Sequence, residues 1–73
     1  MKWFIIKVKD EAGTNYLRSL IVRARASNYV THEKMHLAEI FISAVQAQTA
    51  IDIIMECNPS AECTIVQLHV TEL

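Results

Sequence analysis

Residues 27–57, SNYVTHEKMHLAEIFISAVQAQTAIDIIMEC, contain neither glycine nor proline, and their division between strand and helix decides the fold. Gly and Pro are the strongest local punctuation in a chain. Without them, only hydrophobic spacing is left to place the boundaries. In one reading, residues 35–44 form a strand with Ala38, Ile40, Ile42 and Ala44 turned inward. A helix then runs from about Gln46 to Cys57 and buries Ala47, Ala50, Ile51, Ile54 and Met55. In the other reading a single helix starts near Thr31, because Leu37, Ile40, Phe41, Ala44, Ala47, Ile51, Ile54 and Met55 also keep helical spacing. Ile40-Phe41-Ile42 is β-branched and aromatic, and the single helix is long for so small a domain, so the strand is favoured.

Outward from this stretch the pattern is plainer. Residues 2–9 alternate, with Phe4, Ile6 and Val8 on one side and Trp3, Ile5, Lys7 and Lys9 on the other, as in a strand. Residues 10–15 read as a turn in which Gly13 supplies any positive φ. Residues 16–26 read as a second strand, with Leu20, Val22, Ala24 and Ala26 on one face and Leu17, Ile21, Arg23 and Arg25 on the other. Asn58-Pro59 stops the helix, with Asn suited to a left-handed cap. Residues 64–73 alternate as the last strand. The expected fold is α+β, a single domain over 1–73 in the order β-β-β-α-β, with one helix on one face of a mostly antiparallel four-stranded sheet. The strand–helix–strand crossover is expected to be right-handed.

Composition bears on function. A chain of 73 residues buries only about 60% of the surface that its unfolded form exposes. Yet 52% of its residues are hydrophobic, more than one small core absorbs. One helix covers one sheet face, expected to be that of Phe4, Ile6, Val8, Val22, Ile40, Ile42, Val66 and Leu68. The other face is expected to carry Trp3, Ile5, Leu17, Ile21, Leu37, Phe41 and Ile65 among Lys7, Lys9, Arg23 and Arg25. A solvated sheet face is mostly polar; this one is not. The expectation is a non-catalytic protein-binding module, a homodimer with a larger protein or complex as target. Its interface is drawn from Trp3, Ile5, Leu17, Ile21, Arg23, Arg25, Leu37 and Phe41. No enzyme activity, cofactor or metal is expected. The alternative is a small nucleic-acid or nucleotide binder that uses Trp3, Lys7, Arg23 and Arg25, with Arg18, Tyr16 and Tyr29, as a stacking and charged platform.

The net charge of −1 and the pI near 6.3 give no overall attraction to nucleic acid. Bases gather in the first third and acids beyond Asn28, which could steer a charged partner. His32-Glu33-Lys34-Met35-His36 matches H-E-x-x-H, but that chemistry needs both histidines one turn apart on a helix, a third ligand and a substrate cleft. Cys57 and Cys63 have no basic sequence neighbour to lower a thiol pKa and read as buried free thiols of a reduced, cytoplasmic protein. The apolar run at residues 3–6 is too short for a signal segment, and no stretch approaches a membrane span.

Ile40-Phe41-Ile42-Ser43-Ala44, then Gln46, Ala50, Ile51, Ile54 and Asn58-Pro59-Ser60-Ala61, give an alternating strand, a helix with alanines toward the sheet, an Asn-Pro stop and a final strand. This half of the chain resembles very small phage-encoded α+β proteins, among them anti-CRISPR and other anti-defence proteins. The resemblance implies an inhibitor in the host cytoplasm, a compact body that occludes a surface of a larger complex. It assigns no functional residue.

Overall fold

The computed structural model describes residues 2–24 and 26–69. It contains β1 (Lys2–Asp10), β2 (Gly13–Ile21), β3 (Asn28–His32), a 3-10 turn (Met35–Leu37), α1 (Ala44–Cys57) and β4 (Glu62–His69). The four strands form one sheet in the order β3-β2-β1-β4, with every neighbouring pair antiparallel. The α+β class and the β-β-β-α-β order are those read from the sequence. Because β3 and β4 run antiparallel to one another, the handedness rule for parallel crossovers does not apply to α1.

The first turn follows from its residues. Glu11 and Ala12 keep negative φ, and Gly13 takes φ +106, the pattern of a type I turn closed by a glycine bulge. Asp10 Oδ1 accepts the Ala12 N–H at 2.9 Å and pins the corner. From that turn β1 and β2 pair only as far as Lys7 and Tyr16.

Beyond that point the two strands part, and residues 39–41 fill the gap. Phe4 and Phe41 exchange both backbone hydrogen bonds at 2.8 Å, and the Glu39 N–H donates to the Leu17 carbonyl at 2.8 Å. The strand expected at residues 35–44 is thus a one-residue bridge preceded by a 3-10 turn, and the third full strand lies earlier, at Asn28–His32. The second strand ends at Ile21, short of residue 26.

On its other side β2 has a register irregularity between Leu17 and Ser19, which leaves Arg18 without an opposite residue. The bulge puts Leu17 and Leu20 on the same side of the ladder and bends it. Tyr29 stands opposite Leu20, yet its hydroxyl donates to Asp10 Oδ2 at 2.9 Å, beside the turn. In a flat ladder those levels lie roughly 23 Å apart, far beyond a tyrosine's reach. The β2–β3 ladder therefore curls over the helix side rather than extending the plane of β1 and β4.

Helix α1 starts at Ser43, whose extended backbone and Oγ cap the Gln46 N–H at 3.2 Å. It buries Ala47, Ala50 and Ile54, and the two alanines let it lie close to the sheet. Met55, expected to be buried, is 38% exposed. Asn58 ends the helix at φ −144, not in the left-handed region. Its side chain closes the turn instead, with Oδ1 accepting from the Ser60 N–H and hydroxyl. The core joins Ile6, Val8, Leu17, Ala47, Ala50, Ile54 and Ala61, ringed by Phe4, Leu20, Tyr29, Phe41, Ile51, Cys63 and Ile65.

Candidate interaction surface

Alternation along β1 assigns the two faces. Phe4, Ile6 and Val8 look toward α1, and Trp3, Ile5, Lys7 and Lys9 look away. The β4 register pairs Lys9 with Glu62, Lys7 with Thr64, Ile5 with Val66 and Trp3 with Leu68 on that outer face. The face is divided. Its turn end is polar, with Lys9 across from Glu62 and the Lys7 ammonium 5.9 Å from the centre of the Tyr16 ring. Its far end is apolar: Trp3, Ile5, Val66 and Leu68.

Ile5 is 1% exposed although it lies outside the helix-side core. Its own face therefore covers it, in a second, thinner apolar cluster. The Phe4–Phe41 bridge sets Ile40 level with Ile5 and Ile42 level with Trp3, on the side away from Phe41. Ile40 and Ile42 are 48% and 71% exposed. Isolated exposed aliphatics are ordinary on a protein surface. A group beside the sheet face opposite α1 is not.

Of the expected interface residues, the structure brings Trp3 and Ile5 together on the outer face. It moves Leu17 and Phe41 to the helix side, Leu17 fully buried and Phe41 against the core. The bulge after Leu17 and the bridge at Phe41 set those orientations. Ile65 is also on the helix side, while Val66 and Leu68 take the outer face and Val22, Ile40 and Ile42 are exposed. Leu37 is half-buried in the 3-10 turn, against β2. Ile21 is exposed at the end of β2, beside Arg23 and Ser27. Arg23 is on the loop after β2, beside Glu56 and Cys57. Arg25 lies outside the described residues. Val66, Leu68, Ile40 and Ile42 were missed as surface residues, although the period of two in β4 had already separated Val66 and Leu68 from Ile65.

The other chemistry-bearing residues are dispersed. Tyr29 faces the core side, where it donates to Asp10 and accepts from Asn58 Nδ2 at 3.1 Å, so it shares no platform with Trp3 and Tyr16. Desolvation, reinforced by Asp10, raises the Tyr29 pKa above the usual tyrosine value. His32 ends β3 and accepts the Lys34 N–H on Nδ1 at 3.0 Å, while His36 lies exposed in the 3-10 turn. The H-E-x-x-H stretch is not on an α-helix. Among the described residues no group of three His, Cys, Asp or Glu stands close enough to hold a metal ion. Both cysteines are free; the Cys57 thiol donates to the Ser27 carbonyl at 3.1 Å, and burial pushes the Cys63 thiol upward, with Asp10 adding to the shift. Among the described residues no helix is long and apolar enough to cross a membrane.

Compared with protein-family models, with curated proteins and with solved structures, the chain matches none of them.

Proposed function

We propose that this chain is a non-catalytic protein-binding module that works as a homodimer and occludes a surface of a larger protein or complex. A single observation supports this reading most. One helix covers one face of the sheet, and the far end of the other face is an apolar row of Trp3, Ile5, Val66 and Leu68 flanked by exposed Ile40 and Ile42. A sheet face that no helix covers ordinarily alternates toward polar residues. A polar end with Lys7, Lys9 and Glu62 adjoining the apolar end is compatible with protein–protein interfaces, where apolar contact is bordered by polar residues. The resemblance to phage anti-defence proteins makes a host defence complex the target class to try first.

The test places a photocrosslinking p-benzoylphenylalanine at Trp3, and separately at Gln48 on the exposed side of α1, in cells that express the protein. The expected result is a discrete, nuclease-resistant protein adduct from position 3 and none from position 48. Matching patterns from both positions, or an adduct removed by nuclease, overturn the reading.

A further inference from the structure

We infer that β4 is a dimerisation edge, which pairs antiparallel with β4 of a second copy of this chain to make one continuous eight-stranded sheet. This specifies the homodimer of the reading above and rests on it only for the existence of a second copy.

Hydrogen-bond parity sets the geometry. Phe4 directs its N–H and carbonyl to Phe41, so the even residues of β1 point away from β4 and the odd ones toward it. The β1–β4 hydrogen-bonded pairs are therefore Trp3 with Leu68, Ile5 with Val66, and Lys7 with Thr64. The alternate residues of β4, Cys63, Ile65 and Gln67, direct their backbone groups outward, where β4 has no neighbouring strand among the described residues.

An open edge of this kind is a template for another strand unless it is blunted by Lys, Pro, a bulge or shortness. β4 has none of these. It is eight residues long, pairs with β1 without a register shift, and is uncharged from Cys63 to Leu68. The sheet's other edge, β3, has five residues, pairs across a bulge and curls over the helix. Each chain thus offers one usable edge, and a two-fold axis closes such a pair as a dimer rather than a fibre.

Charge selects the direction. Glu62 begins β4, so parallel pairing would set two carboxylates side by side. Antiparallel pairing about Ile65 or Val66 holds them roughly 20–26 Å apart. The same axis, perpendicular to the sheet, keeps both outer faces on one side and joins the two Val66–Leu68 rows into one surface.

Gln67→Pro is the deciding variant. It removes an outward N–H and leaves the β1 ladder intact, the place where an edge strand tolerates proline. Sedimentation equilibrium across a hundredfold concentration range should give a dimer for the wild type and a monomer for Gln67→Pro with an unchanged circular dichroism spectrum. Amide exchange of the wild type is read alongside, so that misfolding of the variant leaves the question answerable. The Ile65 and Gln67 amides should be protected, and their exchange should speed up on dilution. A dimer that persists in Gln67→Pro, or outward amides that exchange freely in a wild-type dimer, overturns edge pairing. A wild type that is monomeric throughout overturns it together with the homodimer. Crosslinking from position 3 is a separate readout, because the variant leaves the outer face untouched.

Discussion

Tyr29 shows how much a single side chain holds in place. Its hydroxyl joins the β1–β2 turn through Asp10 to the helix end through Asn58, while its ring packs against the core. Tyr29→Phe keeps the ring and removes both bonds, so a loss of about 1 kcal/mol at neutral pH is expected from denaturant unfolding. The pH dependence follows from the raised pKa. The folded protein holds the phenolic proton more tightly than the unfolded chain, so the contribution is complete below the ordinary tyrosine range and fades as pH rises through the folded value, above 10.0. The stability gap between wild type and Tyr29→Phe should therefore narrow above pH 10. Cys63, also raised, acts in the same direction in both proteins and largely cancels in the difference. Only the alternative reading of the sequence groups Tyr29 in a nucleotide platform. A tyrosine's chemistry is legible in sequence, but its direction depends on a bulge at Arg18 that no spacing rule announces.

At the scale of elements, the reading held where local pattern is strong. Period-two alternation found β1 and β4, and Gly13 found the turn. It failed between Ser27 and Ala44, where Ile40-Phe41-Ile42 has the composition of a strand but makes a single bridge, because β1 and β2 separate by only a few residues' length to admit it. The information for the neighbouring elements was present. Asn28-Tyr29-Val30-Thr31 is rich in strand-forming residues. Ser43-Ala44-Val45-Gln46 has the spacing of a capping box, which puts the helix start two residues before the expected Gln46. The cap is testable. Ser43→Ala should cost about 1 kcal/mol in thermal or denaturant unfolding and fray the first turn, while Ser43→Asp retains the stability.

For the whole molecule, the curl of β2–β3 around α1 leaves one flank closed and the other, β4 and the outer face of β1, open. The proposed dimer would make wild-type stability depend on protein concentration, since association stabilises the folded state that it binds. Above the dissociation constant of the dimer, hundredfold dilution removes about 1.4 kcal/mol per chain and should lower Tm by roughly 6–11 °C in a domain of this size. Calorimetry of Gln67→Pro should find no such dependence. The placement of residues 39–41 between β1 and β2 also governs how the chain gets there. A hairpin ordinarily zips outward from its turn within microseconds. This one can zip only to Lys7 and Tyr16, because the remaining inner edge of β1 is reserved for Phe41, far along the chain. Closing that long loop costs entropy before its contacts repay it. The slow event in folding is thus expected to be the docking of a distant segment into a half-formed sheet, the step that brings Phe4 its hydrogen bonds to Phe41.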